Sequence, residues 1–191
     1  MGLTGGIGAG KSEALAALAR LGAATLSTDA VVHELYRDPE VRDAVVARWG
    51  PAVAPGGAVD RAAVARHAFA SPGERAWLEA LLWPRVGARV QAWRAAAAAG
   101  APRALVVETP LLFEAGMDRA YDATIAVIAD EAVRARRAAA RGHAAVDERT
   151  ARQLTQEEKA ARADHVVCND GDLADLEHEL AGILEKLGVS A

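Results

Sequence analysis

Unbroken apolar runs alternate with helix-period segments along this chain of 191 residues. Ala104-Leu105-Val106-Val107-Glu108, Thr124-Ile125-Ala126-Val127-Ile128 and His165-Val166-Val167-Cys168 have the continuous apolar character of strands buried on both faces. Ala23 to Leu26 predicts a shorter strand, and Met1 and Leu3 supply a short apolar lead at the start. Between these runs the period changes to that of a helix. Lys11 to about Arg20 carries Leu15 and Leu18, and Gly22 follows as a stop. Residues 30 to about 102 read almost wholly as helix. Two segments, 30–37 and 39–49, precede a break at Pro51 to Gly57. Asp60 caps a helix to about Ala70, and Ser71-Pro72-Gly73-Glu74 opens another. Leu78, Leu82, Val86, Val90 and Trp93 form its apolar stripe, and Pro84 is expected to kink or end it. Asp130 starts an arginine-rich helix to about Arg141, and Asp147 a second charged helix through Ala163. The last helix places Leu173, Leu176, Leu180, Ile183 and Leu187 on one face. About five strands alternating with helices predict an α/β fold, with a parallel sheet between two helical layers. The long helical block reads as an inserted substrate subdomain.

Composition adds limits. An apolar fraction of 52% with 25% charged residues is ordinary for a globular protein, and a net charge of −4 gives no reason to expect nucleic-acid binding. Cys168 is the only cysteine, so no intrachain disulfide can form. No apolar run reaches membrane-spanning length. These features, with no leader read at the N-terminus, give the expectation of a cytoplasmic protein without membrane association. A monomer is expected, with an oligomer left open.

The candidate chemistry begins at Gly5-Gly6-Ile7-Gly8-Ala9-Gly10-Lys11-Ser12, which fits G-x-x-x-x-G-K-[ST]. Glycines free the backbone N–H groups to cradle phosphate oxygens, helped by the positive end of the next helix. Gly5, Gly6, Gly8, Ala9, Gly10, Lys11, Ser12 and Glu13 are therefore the candidate nucleotide-binding residues. Lys11 is expected to reach the β- and γ-phosphates, and the Ser12 hydroxyl to bind Mg²⁺. The chain holds three lysines against nineteen arginines, and one falls here. Asp29 lies at the C-terminal end of the second strand, where open parallel sheets gather ligands. It either meets an acceptor hydroxyl or caps the following helix. Glu108, ending its strand, either holds metal or faces solvent. Arg134, Arg137 and Arg141 share a helical face that is either a phosphate clamp or solvated, and the polar segment around Gly142 fits a closing lid. Trp77, Trp83 and Trp93 read as packing residues, with base stacking as the alternative. The five histidines show no metal-ligand spacing, and no guanine-reading N-K-x-D is found.

Leu3 to Ser12 resembles the opening of the dephospho-coenzyme A kinases. Glu108-Thr109-Pro110-Leu111-Leu112-Phe113-Glu114 is similar to that family's P-L-L-[FV]-E segment. Gln153 through Lys159, leading into Ala163-Asp164-His165-Val166-Val167 and Asn169, is similar to its ending. Asp60-Arg61 before Ala68-Phe69, and Leu78-Glu79 ahead of Pro84, also resemble it, so the likeness covers nearly the whole chain. It implies transfer of the ATP γ-phosphate to the ribose 3′-hydroxyl of dephospho-CoA, with ATP and Mg²⁺ as cofactors. The alternatives are a non-catalytic ATP-binding paralogue and a kinase of another small nucleotide. The implied fold is a P-loop NTPase core (1–30, 103–141 and 161–191), a helical CoA-binding subdomain (31–102) and a lid (142–160). Asp29, Lys11, Arg137 and Arg141 are the implied catalytic residues. Asp29, Leu111 and Glu114 would contact substrate, and Ser12 and Glu108 would serve the metal. The sequence departs from the family in three places. Its Asp-x-Asp is Ser27-Thr28-Asp29, its His-Pro is Trp83-Pro84, and its first strand is short.

Overall fold

Strand pairing carries the apolar runs into one sheet. In the computed structural model, which describes residues 1–140 and 153–188, the strands are β1 (Gly2–Gly5), β2 (Ala24–Ser27), β3 (Leu105–Glu108), β4 (Thr124–Ile128) and β5 (His165–Cys168). All pairs are parallel, in the order β2-β3-β1-β4-β5. The short first strand is thus the central one. The Met1 amino group adds one further bond to it, donating to the Leu105 carbonyl at 2.7 Å. Because β1 lies between β3 and β4, the strand order reverses at its C-terminal end, the place where such sheets bind ligands.

Side-chain alternation divides the sheet into two faces. Leu3, Val106, Ile125, Val127 and Val167 pack with Ala14, Ala17 and Leu18 of α1 (Lys11–Arg20) and with Leu176, Leu180, Ile183 and Leu184 of α8 (Leu173–Lys186). Burying one such side chain is worth roughly 1.5–3 kcal/mol. Leu173 and Leu187, expected on this stripe, are 44% and 37% exposed: they sit at the two ends of α8, beyond the sheet's reach. On the other face α7 (Gln156–Arg162) packs against β4 and β1. The helix expected from Asp147 does not extend through this region. Residues 153–155 are not helical, and Thr155 caps α7 through a reciprocal capping box with Glu158. Asp147 itself lies outside the described residues. From Gln156 onward the chain covers the sheet.

The chain divides into two units, Met1–Ser27 with Arg94 onward, and Thr28–Trp93. The second is helical: α2 (Thr28–Leu35), α3 (Pro39–Trp49), α4 (Arg61–Ala68) and most of α5 (Pro72–Ala98). Asp38 and Asp60 cap α3 and α4 by accepting backbone N–H bonds, and Ser71 accepts from the Glu74 N–H. Its core joins Val45, Val53, Ala63 and Val64 with Trp49, Trp77, Leu78 and Leu81. Trp49 meets the Trp77 ring edge-on at 5.0 Å and donates to Glu74 at 2.7 Å. Trp83, by contrast, is 51% exposed and packs no core.

Pro84 does not end α5, which runs through it for 27 residues. An internal proline removes one helical N–H and costs about 3 kcal/mol. The Arg85 guanidinium donates to the Leu81 carbonyl at 2.8 Å, beside the carbonyl that loses its partner. Buried Leu82, Val86 and Val90 on both sides of the proline hold the helix together.

Candidate active site

The glycine loop leaves the central strand and enters α1 through Gly10, whose φ is 94°. No side chain caps the first turn of α1, so its positive end faces the loop uncovered. Two glycines are required by what presses on them. A Cβ on Gly8 (φ 77°) would stand 2.6 Å from the Arg134 carbonyl oxygen, and one on Gly10 would collide with the Asn169 amide. The loop is held from outside as well. Asn169, 5% exposed, donates through Nδ2 to the Ala9 carbonyl at 2.8 Å. Arg134, on α6 (Glu131–Ala140), donates through Nε to the Ile7 carbonyl at 3.0 Å and pairs with Glu131 at 2.8 Å. Arg137, one turn on, donates to the Asn169 carbonyl at 2.9 Å. The arginine face thus rests on the loop and its buttress rather than in solvent. Arg141 lies outside the described residues.

Lys11 folds back over this cradle, its ammonium donating to the carbonyls of Gly5 and Gly6 at 3.1 Å each. Ser12 and Glu13 are exposed. The Glu13 N–H bonds Gly10 and its carboxylate lies 3.6 Å from Arg20, so this side chain follows the outer face of α1. Glu108, 6% exposed, ends β3 in register with Leu3 of β1 and Ser27 of β2. This puts a carboxylate and the Ser27 position together at the C-terminal edge of the sheet. Asp29 stands two residues beyond β2, exposed in the first turn of α2 and within the helical unit. Among the described residues no group of three or more His, Cys, Asp or Glu could hold a metal by itself.

Leu111 is half-buried in the turn after Pro110. Glu114 is held by a network that sequence reasoning missed. Lys159, fully buried, extends its ammonium to Glu114 Oε1 at 3.1 Å, the Pro110 carbonyl at 2.5 Å and Thr4 Oγ1 at 3.5 Å. The Leu154 N–H donates to the same carboxylate oxygen at 2.9 Å, while Glu114 Oε2 is buried with no partner among the described residues. Burial holds the Lys159 ammonium below the usual lysine range, and Glu114 only partly offsets this. Two more residues of the family-like ending are anchors. Gln156 pairs its side-chain amide with both the N–H and the carbonyl of Ala129. Asp164 accepts from the Thr124 N–H and hydroxyl at 2.8 and 2.7 Å, which keeps its carboxyl below the ordinary range. A weak signal for Lys159 existed, since it is one of only three lysines among many arginines.

The exposed thiol of Cys168 plays no part in this site. It donates to Asp170 at 2.9 Å, and that bond pushes its pKa up to about 11. Alkylation at pH 8 is therefore expected to run about 10²-fold slower than at an ordinary thiol. Asp170→Asn should restore most of the rate, measured with iodoacetamide; equal rates in the two proteins would contradict the hydrogen bond.

Comparison with known proteins bears on the same residues. The family model CoaE, described as dephospho-CoA kinase, matches residues 1–175. A Deinococcus radiodurans protein named dephospho-CoA kinase is 40% identical over 193 residues, covering 100% of this chain and 93% of its own. One of the same name from Chlorobaculum tepidum is 37% identical, with 98% and 94% covered. Among solved structures, TT1252 from Thermus thermophilus superposes with a TM-score of 0.80 at 35% identity, covering 97% of this chain and 96% of that one. A Campylobacter jejuni dephospho-CoA kinase shares the fold, with a TM-score of 0.69 at 21% identity over 97% and 95% of the two chains. The match extends from the phosphate loop through Glu114 and Lys159 to Asn169, and the chain belongs to the dephospho-CoA kinase family.

Proposed function

We propose that this chain transfers the γ-phosphoryl group of ATP to the ribose 3′-hydroxyl of dephospho-CoA, giving coenzyme A and ADP, in the cytoplasm. The observation that carries the reading is the glycine loop, which Asn169 and Arg134 hold in shape through its Ala9 and Ile7 carbonyls. Phosphoryl transfer depends chiefly on positioning and on neutralising charge, so a fixed cradle is the main requirement.

In this reading the loop N–H groups and the start of α1 hold the donor phosphates. Lys11 neutralises charge on the β- and γ-phosphates. Arg137 and Arg141 reach the transferring group from α6 and beyond. Asp29 orients the acceptor hydroxyl and takes its proton. Leu111 and Glu114 shape the acceptor side. The helical unit, Thr28–Trp93, carries the rest of the acceptor site. Mg²⁺ fits the donor set. A hydroxyl at Ser12 and a carboxylate at Glu108 are hard oxygen ligands of the kind that Mg²⁺ takes together with waters and phosphate oxygens. When bound, it supplies charge neutralisation on the phosphate oxygens.

The test is ADP release from Mg·ATP with dephospho-CoA, adenosine, AMP or no acceptor. Turnover should depend on dephospho-CoA and fall by about 10²–10⁴-fold in Asp29→Asn. ADP release equal to the no-acceptor blank would overturn the reading.

A further inference from the structure

The hydrogen-bond ladder between β1 and β3 changes character where β3 ends. Leu3 is in register with Glu108, and the Thr109 N–H donates to the Leu3 carbonyl at 2.8 Å. The next residue, Pro110, has no N–H to give, so main-chain pairing stops there. Side chains take over. The Pro110 carbonyl accepts from the Thr4 hydroxyl at 3.3 Å and from the Lys159 ammonium at 2.5 Å. Thr4 immediately precedes Gly5, so this contact lies one position upstream of the phosphate cradle.

From Pro110 the chain folds into a turn closed by its own bonds. The N–H groups of Ala115, Gly116 and Met117 donate to the carbonyls of Leu111, Phe113 and Leu112. Lys159 grips this turn twice, at the Pro110 carbonyl and at Glu114 Oε1, 3.1 Å away. Its remaining N–H faces Thr4 Oγ1 at 3.5 Å. An ammonium has three donors, and here each has an acceptor on the strand that leads into the loop or on the turn. The arm that carries it is fixed as well. Gln156, at the start of α7, bonds both main-chain groups of Ala129, and Asp164, just past its end, holds Thr124. These ties fasten α7 to both ends of β4, and Lys159 lies between them.

Stability does not account for this arrangement. A fully buried ion pair gains little over apolar side chains of similar volume, because both charges lose their water. Here the loss is incompletely offset, since Glu114 Oε2 is buried with no partner among the described residues. What an ammonium with three fixed acceptors supplies, and an apolar side chain does not, is direction. We infer that Lys159 is a positioning residue for phosphoryl transfer, fixing the 110–114 turn against the strand that carries the phosphate loop. The inference rests on the proposed reaction, in which the loop holds the donor and Leu111 shapes the acceptor side. One buried side chain then keeps the two sides in register, acting through Pro110, Glu114 and Thr4.

The test uses Lys159→Met/Glu114→Gln, which removes the ammonium without stranding a carboxylate and keeps an acceptor for the Leu154 N–H. Its control is Ile183→Ala, a core truncation on α8 across the sheet, assayed at a temperature where both variants are folded. A displacement of about 1 Å costs a transfer reaction about 10²-fold, so kcat with dephospho-CoA is expected to fall about 10–100-fold in the paired variant. KM for ATP should stay near the wild-type value, because Asn169 and Arg134 still hold the loop. Ile183→Ala should keep the wild-type kcat. An unchanged kcat in the paired variant, an equal fall in the control, or a KM for ATP that rises as far as kcat falls would overturn the assignment. If the paired variant does not fold, Thr4→Val carries the same test: kcat should fall about 3–10-fold, and Thr4→Ser, which keeps the hydroxyl, should restore it. An unchanged kcat in Thr4→Val would count against the assignment equally.

Amide hydrogen exchange reads the turn without the reaction. In the paired variant the Ala115, Gly116 and Met117 amides should exchange about tenfold faster, with those of α8 unchanged. Unchanged protection would mean that the turn is held without Lys159 and would overturn the inference whatever the kinetics. Faster exchange, in a protein whose wild type transfers nothing to dephospho-CoA, would support the hold of Lys159 on the turn and place the failure in the proposed reaction.

Discussion

Lys11→Ala is expected to lower kcat/KM for phosphoryl transfer by at least about 10²–10³-fold while leaving the fold nearly as stable as before. The ammonium donates to Gly5 and Gly6 in a loop whose shape is set mainly by Asn169 and Arg134. Losing its bonds to these two carbonyls removes about 1 kcal/mol each, because water can replace the donor there. Losing its charge is a different matter. Nothing from solvent can stand in a fixed position against the β- and γ-phosphates as charge moves between them. The loss should match or exceed that of Asp29→Asn, since positioning and neutralisation outweigh proton removal in this chemistry. Single-turnover kinetics beside a thermal melt separate the two effects. Activity within tenfold of wild type, or a melt lowered as much as the rate, would contradict the assignment.

The second large effect is on stability. Lys159→Met should destabilise the fold by about 3–5 kcal/mol, because it strands the Glu114 carboxylate in the interior with one oxygen already unpartnered. In a chain of this length that corresponds to a fall in melting temperature of roughly 10 °C. The depressed Lys159 pKa indicates that Glu114 does not fully compensate the burial of this charge. The folded state sheds the proton below the ordinary lysine value of 10.5, so this group's contribution to stability rises as pH climbs through its folded pKa toward that value. It also follows that removing both charges should be milder than removing one. Lys159→Met/Glu114→Leu is expected to melt well above Lys159→Met, short of wild type by about the Leu154 N–H bond, roughly 1–3 kcal/mol. Urea titrations of the wild type, Lys159→Met, Glu114→Leu and the double variant check this; single losses that simply add in the double variant would contradict it.

The parts of the fold legible in the sequence were those whose signal is local. β3, β4 and β5 are unbroken apolar runs because parallel strands are covered on both faces, and the caps at Asp60 and Ser71 are decided within four residues. The start of α7 is equally local, in the capping box of Thr155 and Glu158, eight residues after the Asp147 expected to begin that helix. Continuation of α5 through Pro84 was not legible, since it depends on where Arg85 points and on packing either side. For the same reason Trp83 looked like Trp77: the proline helix turns one outward and holds the other in the core. In the site, the glycine loop and Lys11 were legible as a motif. Asn169 and Lys159 appeared only as matches to a family pattern, because their partners are backbone groups and side chains more than 40 positions away. A family motif shows that a residue matters without separating phosphate contact from loop support. The geometry gives Asn169 the second role.

The most direct measurement is the phosphorus spectrum of the product formed from Mg·ATP and dephospho-CoA. The account predicts a new phosphomonoester resonance, coupled to the ribose H3′ proton, growing in step with ADP and absent with Lys11→Ala. ADP accompanied only by inorganic phosphate, or a phosphomonoester on any other hydroxyl, would contradict it.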